Sequence, residues 1–179
     1  MFIPQTWRKK ALFIVDVQDG FIVERNKYIL PNIIELIEKG KYDIIVYSIS
    51  YNQEWSLWYK QIGWCENPTE TDIIPEISEI LKNHKNVYKI MKLWRSAFKC
   101  DEDIFSILKN HKIEEIHIAW YESNDCVFAT AQESFDLGYF TFVIEEATET
   151  RTTQINHTYA IALLNYLNLT NNSHYIGKN

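Results

Sequence analysis

Short apolar runs alternate with helix-like patterns along the whole chain, and this alternation limits the folds open to it more than any other feature. Strand-like runs fall at residues 11–15 (ALFIV), 44–49 (IIVYSI), 87–90 (VYKI), from Glu115 through Ile116, Ile118 and Trp120, and at 140–144 (FTFVI). Runs this short and continuously apolar fit strands covered on both faces, as in a parallel sheet. Between them, helical patterns are expected from about 32 to 40, with Pro31 at the start and Gly40 at the stop, and over about 73–83. Further helices are expected from Asp101 as a cap to about 110, from Cys126 to Gly138, and over about 153–167, with a possible edge strand at 174–176. Repeated βα units with right-handed crossovers give a three-layer α/β/α fold: a doubly wound, mostly parallel, Rossmann-like sheet of five or six strands. Ligands in such folds sit at the carboxyl ends of the strands.

Those strand ends carry chemistry. Asp16 closes the first strand, Lys92 follows the third, and Cys126 follows the strand that begins at Glu115. Carboxylate, amine and thiol on one sheet edge are the parts of a covalent hydrolase: base, electrostatic stabiliser and nucleophile. Asn124 and Asp125 favour a helix start, which places Cys126 in a first turn. There, free N–H groups and the helix dipole favour thiolate, while Asp125 opposes it. Each residue also has a plain reading, as an inert buried thiol, a turn-capping aspartate or a solvated lysine, and their joint placement decides for chemistry.

Composition narrows the rest. A chain of 179 residues suits a single domain spanning 1–179. The net charge of -6 argues against nucleic acid or anionic membrane as a partner. The amino-terminal apolar run is broken at Asp16, so neither a membrane span nor a cleaved leader is expected, and the cytoplasm is the expected location. Cys65, Cys100 and Cys126 lack zinc-site or disulfide spacing and read as free thiols. No G-x-G-x-x-G follows the first strand, which disfavours a dinucleotide. The segment 50–71 carries Trp55, Trp58, Trp64 and Pro68 without a period, and reads as a long functional excursion.

Three motifs in order carry a resemblance. They are Asp16, Gln18 and Phe21 in FIVDVQDGF; Lys92 with Ser96-Ala97-Phe98; and Asp125-Cys126-Val127 running through Thr130-Ala131 to Gly138-Tyr139. Glu146-Ala147-Thr148 and His157 follow in register. Together they resemble the isochorismatase-like cysteine hydrolases, which include nicotinamidases and carbamoylsarcosine amidases. The resemblance implies Asp16 as general base and acid, Lys92 as the cation supporting thiolate and oxyanion, and Cys126 as nucleophile, with Lys89 the nearest rival to Lys92. It implies a cis peptide between Tyr121 and Glu122, and an oxyanion hole formed by the N–H groups of Glu122 and Cys126. Gln18, Phe21, Tyr51, Trp94, Trp120 and Tyr121 are the expected substrate pocket, although Trp120 also reads as core. A small-molecule substrate, no cofactor and a homodimer or tetramer are expected.

Departures qualify it, among them the bulky Trp120-Tyr121-Glu122 where relatives usually have glycine and small residues. Nicotinamidases hold a metal through an aspartate and histidines after strand two, where this chain has SISYNQEWSLW, so no metal is expected. The arginine that the isochorismatase branch uses for carboxylates is not evident between Gln53 and Trp64, leaving Arg95 as a candidate substitute. The expected reaction is hydrolysis of a small-molecule amide C–N bond through a thioester. The alternatives are vinyl-ether hydrolysis using Asp16, and a non-catalytic binding or scaffold relative whose pocket is closed by Trp120, Tyr121 and Glu122.

Overall fold

The computed structural model describes residues 7–63 and 73–171. Five strands form one sheet: β1 Lys10–Val15, β2 Ile44–Ser50, β3 Val87–Lys92, β4 Glu115–Trp120 and β5 Phe140–Thr148. Their order is β3-β2-β1-β4-β5, and every pairing is parallel. The chain winds one way from β1 to β3 and the other way from β4 to β5, so the direction reverses between β1 and β4. That switch point opens a crevice at the strands' carboxyl ends. The expected doubly wound three-layer fold is the observed one.

Alternation along each strand divides the core. Ala11, Phe13, Val15, Ile116, Ile118 and Val143 face one side with Ile104 and Leu108 of α4 (Ile104–Asn110), Val127 and Ala131 of α5 (Cys126–Asp136) and Leu164 of α6 (Gln154–Tyr166). Leu12, Ile14, Ile45 and Ile49 face the other side with Ile33 and Ile37 of α1 (Leu30–Lys39) and Ile77 and Leu81 of α3 (Pro75–Leu81). Both faces are covered, which is why the strands read as continuous apolar runs.

Several boundaries differ from the expectations. β3 runs on to Lys92 and β5 to Thr148, because their polar ends still pair with neighbouring strands. Asp103 caps α4 in place of Asp101, its carboxylate accepting from the Ser106 amide at 3.0 Å, while Asp101 accepts from the Tyr51 hydroxyl at 2.9 Å. A short helix, α2 (Leu57–Ile62), interrupts the excursion expected to lack regular structure. Ser56 caps it, Gly63 ends it at φ 74, and no residue of it is buried, so no apolar period marks it. The possible strand at 174–176 lies outside the described residues, as do Trp64, Cys65 and Pro68.

Candidate active site

Asp16 stands at the switch point. Its backbone sits at φ 60, a left-handed conformation that aspartate tolerates better than most residues, and this turns the side chain from the end of β1 into the crevice. Ser48 on neighbouring β2 holds it there: the Ser48 hydroxyl accepts from the Asp16 amide at 2.7 Å and donates to Oδ1 at 3.0 Å. From two strands away, Lys92 extends its stem across the carboxyl end of β2. Its ammonium lies 2.9 Å from both carboxylate oxygens of Asp16 and donates to the Trp94 carbonyl at 3.1 Å.

The loop carrying Lys92 is tied to the helix carrying Cys126. Thr130 Oγ1 donates to the Cys126 carbonyl at 2.7 Å and accepts from the Ala97 amide at 3.1 Å, while Phe98 packs on Phe13 with ring centroids 5.5 Å apart. The Ser96-Ala97-Phe98 segment thus docks the third strand's loop onto α5, a structural reason for its spacing from Lys92. Cys126 opens α5 and lines the same cavity as Asp16, where the charges of Asp16 and Lys92 act on its thiol. Asp16 and Cys126 thus line one cavity, and the Lys92 ammonium pairs with Asp16.

Electrostatics at that point differ from the expectation for a helix-start cysteine. Burial first, then the Asp16 carboxylate, push the Cys126 thiol well above its ordinary value; Lys92 opposes them and Asp125 adds to them. This balance favours the thiol over the thiolate. Burial likewise disfavours charge on Lys92, but the Asp16 carboxylate outweighs it and holds the ammonium above its usual range. Asp125, expected to cap α5, makes no side-chain cap bond and instead pairs with Arg95 Nε.

The turn between β4 and α5 is built on the Glu122 carbonyl, which accepts from the amides of Asp125 (3.0 Å) and Val127 (3.1 Å). The Tyr121–Glu122 peptide is cis. Among the described residues, the amides of Glu122 and Cys126 have no acceptor, which leaves both available to a ligand. Glu149 fixes the turn from behind. Its backbone pairs with Trp120 and Ser123, and its buried carboxylate accepts from Arg25 (2.8 Å) and Tyr28 (2.5 Å). His157 Nδ1 completes the support at 3.0 Å from the Ser123 hydroxyl and 3.2 Å from Glu149 Oε1.

A cavity of about 430 Å³ opens over Asp16 and Cys126. Phe21 and Tyr121 line it, as does Glu122. The other residues expected there lie elsewhere. Gln18 is buried with its amide bonded to the Ser50 backbone, Tyr51 reaches Asp101, and Trp120 is fully buried in the core beneath α1 and α3. Trp94 and Trp55 border a neighbouring open trough of about 840 Å³, which shares Trp58, Ile62 and Arg95 with the cavity. Trp120 therefore does not close the pocket. Arg151 and Ser48 were missed by sequence reasoning. Arg151 follows β5 on the same sheet edge as the other strand-end groups, and that position was its available signal. Among the described residues no three His, Cys, Asp or Glu side chains gather into a metal-holding group, and the segment after β2 supplies no histidine for the nicotinamidase-type metal.

A parallel sheet that brings Asp16 and Cys126 to one cavity at its switch point, with Lys92 buried against Asp16, defines an α/β protein with a site at its strand ends. The comparison with known sequences is more specific: residues 10–172 match the isochorismatase domain, and the chain belongs to that hydrolase family. A probable inactive nicotinamidase of Arabidopsis thaliana is 24% identical over 172 residues, covering 86% of this chain and 87% of that protein. The nicotinamidase of Bacillus subtilis superposes with a TM-score of 0.74 at 22% identity, covering 90% of this chain and 98% of its own. N-carbamoylsarcosine amidase of Thermoplasma acidophilum gives 0.70 at 19% identity, covering 87% and 92%. These superpositions establish a common fold.

Proposed function

We propose that the protein is a cysteine hydrolase that cleaves an amide C–N bond in a small molecule. The observation that carries this reading is the Asp16–Lys92 pair at the edge of a cavity that Asp16 shares with Cys126. Because the resting thiol is neutral, it needs a base in contact with it, and Asp16 is that base. As Cys126 attacks the carbonyl carbon, its proton passes to Asp16. The amides of Glu122 and Cys126 receive the oxyanion, and Lys92 balances the charge. When the tetrahedral adduct collapses, the C–N bond breaks and Asp16 returns the proton to the leaving nitrogen. Water, deprotonated by Asp16, then cleaves the thioester and frees the acid and the thiol. Proton transfer of this kind supplies about 10²–10⁴-fold, and each oxyanion donor about 10²–10³-fold. The residues present do not fit the nicotinamidase-type metal, and no step uses one.

The same reading has a single-domain protein working in the cytoplasm as a homodimer or tetramer. Among the described residues, no helix is long and apolar enough to cross a membrane.

A non-catalytic reading draws on the similarity to a probable inactive nicotinamidase and on the protonated thiol. The accessible cavity and the buried, inward-facing Trp120 weigh against a closed pocket. Ammonia release across a panel of small amides, with isochorismate alongside, decides between the readings. Amide turnover abolished by both Cys126→Ala and Asp16→Ala supports the proposal. Isochorismate turnover surviving Cys126→Ala but not Asp16→Ala replaces it with vinyl-ether hydrolysis. No turnover of any substrate, with the protein folded, favours the binding role.

A further inference from the structure

Helix α6 is apolar on two faces, and the core covers one of them. Ala160 and Leu164 are buried, Leu164 in the same cluster as Val143 of β5. The face turned outward is apolar as well: Ile155, Tyr159, Leu163, Tyr166 and Leu167 are between 38% and 82% exposed. Steps of three and four residues lay them in one stripe along the helix. A surface helix ordinarily turns charged residues to water on that side. α1 does so with the Lys39–Glu35 pair, and the end of α3 with Lys82–Glu79. α6 does not. Between Arg151 and Lys178 the sequence contains no Asp, Glu, Lys or Arg, in a chain of which 23% is charged.

Composition and size indicate what covers this stripe. The cores of protein interfaces are depleted in charge and enriched in tyrosine, as the stripe is. A helix lying on a membrane surface needs Lys or Arg beside its apolar face, and a charged protein partner needs opposite charge to meet; α6 supplies neither. An identical uncharged stripe meets it without desolvating any charge. The order of side chains is also self-complementary under a two-fold axis. Two antiparallel copies of α6 crossing between Tyr159 and Leu163 set Tyr159 against Leu163 and Tyr166 against Ile155, large against small. With two tyrosines in it, the stripe offers about 500 Å² per copy, and the pair about 1,000 Å², which reaches the lower limit for a specific interface. The helix is already shaped for the contact. The Thr153 hydroxyl caps it by accepting from the Asn156 amide at 3.3 Å, and its inner face is fixed in the core, so association orders little that is not ordered beforehand.

We propose that the outward stripe of α6 is a homodimer interface, on which a second copy of this chain packs its own α6 antiparallel to the first. Tyr159 and Tyr166 are its anchors, each ring covering an aliphatic side chain of the facing helix. This gives the expected homo-oligomer a particular surface, and it does not depend on the reaction at Cys126.

The experiment is sedimentation velocity on the intact protein from about 1 to 100 μM, with a circular dichroism spectrum recorded for each variant. The parent should sediment as a dimer, or as a tetramer if a second interface joins two such dimers. Tyr159→Glu and Leu163→Glu should each weaken association by roughly a hundredfold or more, because a two-fold interface counts every substitution twice. A tetrameric parent should fall to a dimer. Both positions are exposed, so the parent's spectrum should be kept, and Tyr159→Ser with Leu163→Ser repeats the test if a glutamate variant fails to fold. Leu57→Glu on α2, equally exposed but outside the stripe, should leave association unchanged. Association that survives both α6 substitutions, or that is lost in Leu57→Glu but not in Tyr159→Glu, overturns this inference alone. A parent that stays monomeric throughout overturns it together with the expected homo-oligomer, and leaves the hydrolase reading standing.

Discussion

The ammonium of Lys92 and the carboxylate of Asp16 form an ion pair at 2.9 Å, with their side chains 0% and 4% exposed and their positions 76 residues apart in the chain. A pair buried this deeply does not gain stability merely by existing, since desolvating two charges offsets most of their attraction. It is instead sensitive to loss of one member. Asp16→Asn or Lys92→Met alone strands a buried charge and should destabilise by about 3–5 kcal/mol, whereas the double variant should lose much less than the sum. Urea unfolding of the four proteins measures this, and additive losses would show that the two groups are not coupled.

How much of this was legible beforehand follows from what local sequence encodes. The five strands were visible because both sheet faces are covered, and Asp16, Lys92 and Cys126 stood out because parallel strands send all their carboxyl ends to one edge. What escaped depended on partners distant in the chain. Ser48 was invisible as the clamp on Asp16, since only the β1–β2 register sets it opposite. The balance at Cys126 stayed open because the helix start can be read locally, while the burial and the Asp16 carboxylate that oppose thiolate cannot. Tyr51, Gln18 and Trp94 lie near the right strand ends, but side-chain direction in irregular segments has no period to reveal it. Helix α2 escaped for the same reason: a short exposed helix has no buried face to show.

The support behind the turn between β4 and α5 makes stability sensitive to acid. Burial, partly opposed by Glu149, lowers the folded value of His157 below its ordinary 6.5. As pH falls through about 6.5, the unfolded chain takes up a proton that the folded one refuses, and stability declines. Burial alone would raise Glu149, but hydrogen bonds from Tyr28, Arg25 and the Thr150 amide outweigh it. Its folded value lies below the ordinary 4.5, and a further loss follows as pH falls beneath that point. Melting temperatures recorded from about pH 8 to pH 4 should fall in two stages, and His157→Gln should remove the first. A variant that keeps the upper stage would assign it to another group.

Capping of α4 separates two neighbouring aspartates. Asp103 satisfies the Ser106 amide, so Asp103→Ala should cost about 1 kcal/mol. Asp101 only accepts an exposed bond from Tyr51, and Asp101→Ala should stay within about 0.5 kcal/mol of the parent. Chemical denaturation of the two variants gives the comparison, and the reverse order would restore Asp101 as the cap.

The protonated resting thiol leads to a prediction that distinguishes a base-dependent nucleophile from a standing thiolate. Burial and the Asp16 carboxylate hold Cys126 above its ordinary 9.0, so alkylation by iodoacetamide should be slow at neutral pH and climb only as the solution passes that value. Folding stability should fall over the same alkaline range, because the unfolded thiol ionises first, and Cys126→Ser should not show that loss. Asp16→Asn removes the negative charge and the acceptor that keep the proton on sulfur, while Lys92 remains. Labelling of Cys126 near pH 8 should therefore become faster in Asp16→Asn than in the parent, even as amide turnover drops by about 10²-fold or more for want of a base. Lys92→Met should slow labelling, since it removes a cation that favours the thiolate. Mass-spectrometric rates for Cys126, with Cys100 as the internal reference, provide the test. Equal or slower labelling in Asp16→Asn would mean that Asp16 does not control the proton on Cys126, and the base in the proposed reaction would have to be sought elsewhere.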